Sequence, residues 1–302
     1  LRRLDRRLIQ AEVLLPWRIE QKLHPGWQAW FAQFIEGGSQ KINADFKPLG
    51  TFYSIAHWNA LLAPQLRGLF GALERVSVRG VAVALLALLM LYFLLQRRHV
   101  QFARVGIPWA IVTTGFAGMI FDLMLIFAFQ AMYGYVFSWI GLLVAFFMAG
   151  AAGGAMVTTR FPRRAEDCPR WFRRMELALV CWALGWPLLF LAIHGHPATA
   201  GAFVLSKALF LVVSVLCGLL VGAQFPLANR IHRKGRTSAS ETAGLLYASD
   251  LLGGWLGGMA GAVVLLPVLG LIGTSITVGL LKLTSFAVVA TGPAGYPEGE
   301  TI

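Results

Sequence analysis

Charge is scarce in this sequence: Asp, Glu, Lys and Arg together make up 13% of its 302 residues, about half of what an ordinary soluble domain carries. A chain so poor in charge cannot clothe a water-facing surface of its size. Cysteine is scarcer still. Cys181 and Cys217 fall inside apolar runs and Cys168 stands alone in a basic connection, which excludes a disulfide framework and a cysteine-built zinc site. Catalytic signatures are missing too. There is no G-x-G-x-x-G, no G-x-x-x-x-G-K-[ST], no G-x-S-x-G and no H-E-x-x-H, so no cofactor and no catalytic residue is assigned. His194 and His196 form an H-x-H beside Pro197 with no third ligand nearby, and they read as a surface loop rather than a metal site. The chain opens Leu1-Arg2-Arg3 with neither a Met nor the apolar core of a signal peptide, as a piece of a longer polypeptide would.

What is present is apolar: 57% hydrophobic residues and a mean hydropathy of +0.67. These residues arrive in blocks near the length that crosses about 30 Å of hydrocarbon at about 1.5 Å per residue. The pattern predicts spans over 80–96, 107–129, 135–157, 175–193, 203–224, 242–269 and 271–290. The expected fold is all-α, a polytopic transmembrane bundle of about seven spans behind a short extramembrane N-terminal segment. Three parts follow: an extramembrane segment 1–78, a transmembrane helical domain 79–291 and a polar tail 292–302. Residues 1–78 mix charges with Trp17, Trp27, Trp30 and Trp58, and break at Pro16, Pro25, Pro48 and Pro64. They could close a truncated domain, or place short helices over 52–62 and 65–75 at the membrane surface.

The net charge of +12 would suggest nucleic acid in a soluble protein. Here the basic residues sit in short connections between apolar blocks, so the partner they predict is a lipid bilayer and not nucleic acid. Arg97, Arg98 and Arg104 follow the first span; Arg160, Arg163, Arg164, Arg170, Arg173 and Arg174 follow the third; Arg230, Arg233, Lys234 and Arg236 follow the fifth. The intervening connections hold no Lys or Arg. This alternation places the basic connections in the cytoplasm of a multi-pass protein of a cell membrane, the bacterial inner membrane being the expected one, and puts residues 1–78 on the opposite side.

Lipid gives helices no hydrophobic reason to touch, so they associate where small residues let backbones approach. Gly253, Gly257 and Gly261 repeat at every fourth position, and Gly150 with Gly154 and Gly218 with Gly222 do the same; tight helix contacts are expected at each. Four ionisable residues stand out within the spans: Asp122, Lys207, Asp250 and Lys282. Asp122 and Lys207 lie roughly 10 and 6 Å from the outer ends of their spans, Asp250 and Lys282 roughly 12 Å from the inner ends of theirs. Matched depth suggests two neutralising pairs, or a polar cavity for a cation or proton. Gln130 and Gln224, at span ends, read as interfacial.

Two stretches carry a resemblance. INADFKPLGTFYSIAHW, 42–58, with Asn43, Asp45, Pro48, Tyr53 and Trp58, is similar to the segment that closes the soluble domain of multispanning spermidine synthase-like membrane proteins. Residues 115–155 and 245–274, with AQFPLANR (223–230) between them, resemble that family's transmembrane blocks, although Asp122 stands where a glutamate is expected. The resemblance implies a membrane portion without the Rossmann-like part that would transfer an aminopropyl group. It also implies cytoplasmic substrates, decarboxylated S-adenosylmethionine and putrescine, whereas the arginine pattern sets the N-terminal segment outside. Either the topology is off by one span or the likeness is one of ancestry, the latter being preferred. Three functions stay open: a non-catalytic membrane domain that anchors or partners a soluble Rossmann-like domain or another membrane subunit; a transporter module for a small solute, a cation or polyamine; and a membrane-bound aminopropyltransferase whose catalytic part lies upstream. The missing inverted repeat speaks against the second.

Overall fold

The computed structural model describes residues 16–36, 43–44, 46–98, 105–134, 137–160, 167–194, 200–233 and 238–291. Asp45, Arg104, Arg163, Arg164, Lys234, Arg236, His196, Pro197 and the tail 292–302 lie outside them. The chain divides into two compact units, Leu1–Ile42 and Asn43–Ile302. Within the first, α1 (Pro16–Lys22) and α2 (Pro25–Glu36) are short helices. Along α2 Trp27, Trp30, Phe31, Phe34 and Ile35 recur at helical spacing and are exposed, with Trp30 packed between Trp27 and Phe34.

The second unit is all-α, as the apolar blocks require; among its described residues the only extended pairing is an isolated bridge between Ala44 and Lys47. It begins with α3 (Leu49–Leu62), a short 3-10 turn at Pro64–Leu66 and α4 (Arg67–Leu73). Long helices follow: α5 (Val78–Arg98), α6 (Gly106–Tyr133), α7 (Phe137–Arg160), α8 (Cys168–His194) and α9 (Ala200–Gly222). The short α10 (Gln224–Arg233) then leads into α11 (Ala239–Ala260), a π-helical stretch (Gly261–Leu269) and α12 (Gly270–Thr291). The wide turns of the stretch accommodate Pro267, whose ring has no N–H for the α-helical ladder. At Gly270 the backbone enters the left-handed region (φ 73°), which reverses the chain without a loop.

Among the described residues, five stretches are long and apolar enough to cross a membrane: Val78–Gln96, Gly106–Tyr133, Phe137–Arg160, Leu205–Arg233 and Ala239–Thr291. Two places separate these five from the seven blocks of the sequence pattern. The fourth drawn span falls in α8, whose first three turns carry Arg170, Arg173, Arg174 and Glu176. The sixth and seventh belong to one 53-residue helical run bent at Gly270.

In the bundle, α7 lies along α9 and α6 along α11, while α12 packs against α8, α6 and α5. The two ends are distinct. At one, the Leu271 amide donates to the Phe46 carbonyl (2.9 Å) and Val78 lies against Gly273, so the segment from Phe46 to Val78 reaches the Gly270 reversal. At the other, Tyr92, Gly106 and Val288 meet, beside the ends of helices that carry the arginines. No buried residue falls in the apolar window of α5, which is therefore peripheral.

Candidate functional site: a buried polar node

Lys282 has no exposed surface. An ammonium cannot remain charged in such a place unless other groups replace its water. The replacement comes from two other helices. Lys282 Nζ donates to Glu176 Oε1 of α8 (2.7 Å), to Thr114 Oγ1 (3.0 Å) and to Thr113 Oγ1 (3.3 Å) of α6. Gln224, the first residue of α10, donates through Nε2 to the same Glu176 oxygen (2.8 Å) and accepts from the Thr114 hydroxyl. Glu176 and Gln224 are as deeply buried as Lys282, and the two threonines nearly so. One positive and one negative group thus cancel inside a ring of neutral hydrogen-bonding partners. Within the ring only Glu176 Oε2 is left buried without a partner among the described residues.

Local sequence explains how the ring forms. Glu176, Leu179, Val180 and Ala183 recur at helical spacing and are all buried, so the carboxylate lies on the inward face of α8 while Arg170 and Arg174 face out. Pro226 sits in the first turn of α10, where its missing N–H costs nothing. That turn aims Gln224 into the bundle, and Leu227 and Ala228 follow it inward.

The matched-depth pairing is not what the structure contains. Lys282 is joined to Glu176 and not to Asp250. Asp250 instead faces the α6–α11 contact, where its carbonyl and Oδ1 crowd the space beside Gly115. Asp122 keeps Oδ1 buried with no hydrogen-bond partner among the described residues. Lys207 extends over the rings of Trp139 (5.1 Å) and Tyr133 (5.4 Å), whose π-faces attract the ammonium. Gln224 is not interfacial but part of the node. Glu176 is the residue that sequence reasoning passed over: two positions inside a drawn span and beside Arg173 and Arg174, it reads as part of a basic connection. The signal that could have found it is its four-residue step to Val180 and seven-residue step to Ala183 on an apolar face.

The glycines are placed at backbone contacts. A Cβ on Gly150 or Gly154 would overlap the carbonyl oxygens of Val215 or Leu219, and one on Gly218 or Gly222 those of Phe147 or Ala151. The α7–α9 seam is thus glycine against backbone from both sides. Across α6 and α11, Gly253 meets the Val112 carbonyl, Gly257 lies against Phe116 and Gly261 against the Ile120 side chain. Ser214 donates across the first seam to Leu143 O (2.7 Å), and Ser275 bridges α12 to Ala183 O on α8 (2.8 Å).

At the opposite end, Asn43 Oδ1 accepts from the Gly50 amide (2.9 Å), satisfying an early N–H of α3. Pro48 precedes that helix, Tyr53 donates to Glu74 Oε1 (2.7 Å), and Trp58 is exposed. The Tyr53–Glu74 bond ties α3 to the end of α4. All three cysteines are free, and no cluster of three or more His, Cys, Asp or Glu converges among the described residues.

Comparison with known proteins adds a relationship. The chain is 35% identical over 79 residues to a polyamine aminopropyltransferase of Corynebacterium efficiens, matching 25% of this chain and 15% of that protein. It is 36% identical over 89 residues to the enzyme of that name from Mycobacterium tuberculosis, with 28% and 17% covered. Polyamine aminopropyltransferase 1 of Streptomyces coelicolor is 32% identical over 80 residues, with 26% and 15% covered. The chain therefore spans about a sixth of the length of the curated relatives it matches. These partial matches support a spermidine synthase-like relationship. No family model and no solved structure matches.

Proposed function

We propose that this chain is the membrane-spanning portion of a polyamine aminopropyltransferase-like protein and that it works as a packed anchor, not itself catalytic, for a soluble Rossmann-like domain or another membrane subunit. Its setting is a cell membrane of a bacterium, crossed by about seven helices once α8 and the two arms of the 239–291 run are counted as spans. The observation that carries this reading is the buried node. Lys282, fully buried, is held by a carboxylate and two hydroxyls at 2.7–3.3 Å, the carboxylate itself taking a further bond from the Gln224 amide, in a bundle joined backbone to backbone. Such a lysine is consumed by structure rather than offered to a solute. The exterior supports lipid as the solvent: Leu86, Met90, Leu94, Met148, Leu188, Val212, Trp255 and Met259 are large, apolar and exposed on the long helices.

A solute-handling reading draws on one contrary observation, the buried unpartnered oxygens of Asp122 and Glu176. The reading of an aminopropyltransferase completed by a further domain draws on the relatives' names alone.

The test has three measurements. Membranes from cells expressing the chain are washed at alkaline pH; the protein should stay with the lipid and leave only with detergent, and release by the wash alone would end the membrane reading. Purified chain supplied with decarboxylated S-adenosylmethionine and putrescine should make no spermidine, and enzyme-dependent product would overturn the non-catalytic assignment. Reconstituted vesicles should show no uptake of labelled putrescine beyond protein-free ones. Saturable uptake abolished by Asp122→Asn would hand the function to transport.

A further inference from the structure

We propose that the arginine-bearing end of the bundle is a docking surface for anionic phospholipid headgroups, with Arg160, Arg170, Arg174 and Arg233 as the groups that meet the phosphates. The inference rests on the membrane reading above and adds a lipid class to it.

The surface is organised by α10. At ten residues that helix is about 15 Å long, too short to cross a bilayer. It packs against α7, α8 and α11 and so closes the end of the bundle. One of its faces, Gln224, Leu227, Ala228 and His232, is buried, while Arg230 and Arg233 point outward. Around it stand the last residue of α7, Arg160, and the first turns of α8, where Arg170 and Arg174 are exposed and Arg173 is half-buried. The acidic residues described at this end are few: Asp167 is half-buried, Glu241 opens α11, and Glu176 is withdrawn into the bundle by Lys282. The face is therefore strongly positive with little to cancel it.

Depth identifies the partner. Trp171 is exposed beside these arginines, and the Arg174 guanidinium lies over its ring at 5.6 Å. An amphipathic ring under a guanidinium, at the rim of an apolar bundle, suits the headgroup layer, where the indole is half in hydrocarbon and the cation meets phosphate. Arginine forks match phosphate oxygens two at a time. A soluble acidic protein would not require the tryptophan or the exposed Leu177 and Leu245 further along α8 and α11.

The experiment uses the full chain in neutral detergent micelles, titrated with phosphatidylglycerol or phosphatidylcholine while its thermal unfolding midpoint is followed. Phosphatidylglycerol should raise the midpoint saturably and phosphatidylcholine should not. In R170Q/R174Q/R233Q the apparent affinity should fall by about fivefold per arginine removed, the equivalent of about 1 kcal/mol each near a charged surface. R67Q/R75Q/R79Q removes as many charges at the opposite end and should bind as the parent does. Single substitutions, each worth about fivefold, carry the test where the triple variant does not fold. Equal responses to the two lipids, equal loss in the two triple variants, or the same stabilisation by inorganic phosphate alone would each overturn the proposal. A chain that needs detergent yet ignores headgroup charge defeats only this inference, whereas a chain that dissolves without detergent defeats the membrane reading beneath it.

Discussion

The α7–α9 seam and the Lys282 node hold helices together by opposite means. Across the seam the side-chain hydrogen bond among the described residues is that of Ser214; the absence of side chains at Gly150, Gly154, Gly218 and Gly222 lets two backbones touch, and dispersion acts along the contact. In the node, four helix segments are joined at one point by charge and hydrogen bonds among fully buried groups. The seam is cheap to build and spreads its energy over many atoms. The node concentrates it in a few, so that losing one partner leaves another stranded. The comparison teaches that a bundle of long apolar helices can be tight in two ways, and that the two should fail differently.

The largest effect should come from breaking the node on one side. Glu176→Leu leaves Lys282 without its counter-charge in an apolar setting, and stability in a reversible SDS titration should fall by about 3–5 kcal/mol. Glu176→Leu with Lys282→Met removes both charges and should recover most of that loss, because the desolvation cost disappears with the ions. A double variant as unstable as the single one would show that the node contributes more than mutual neutralisation.

Next comes the seam. Gly154→Val or Gly218→Val places carbon where a facing carbonyl stands, so the helices must separate; a loss of about 1–3 kcal/mol is expected, with faster unfolding. Gln224→Ala should cost about 1–3 kcal/mol by leaving Thr114 and Glu176 each one bond short. Gly153→Ala supplies the contrast. It neighbours Gly154, but a Cβ there meets nothing within 4 Å, and its effect should stay within about 0.5 kcal/mol. If Gly153→Ala and Gly154→Val behaved alike, the seam would not be the contact described here.

Much of this architecture is written in short-range features. Block length predicts the helices, and α5, α6, α7 and α9 begin and end within a few residues of the drawn spans, because a stretch of about 20 apolar residues leaves the backbone no partner in lipid but itself. The four-residue glycine spacing marks one helix face, and that is the face on which Gly150, Gly154, Gly218 and Gly222 meet backbone. The π-helical stretch was not legible: Pro267 signals a break, but whether the helix stops or widens depends on what packs against it. The count of spans was not legible either: the sixth and seventh blocks are two arms of one 53-residue helical run, and only the backbone at Gly270 shows where it bends.

What the sequence by itself determined, then, is that the chain is helical, where its faces are bare of side chains, and on which connections its arginines collect; each follows from neighbours along the chain. Only the tertiary structure decided which carboxylate Lys282 finds. Depth along the drawn spans points to Asp250, but a hydrogen bond is settled within about 3 Å, and that choice depends on the rotation and register of α8 against α12, whose Glu176 and Lys282 are 106 residues apart in sequence.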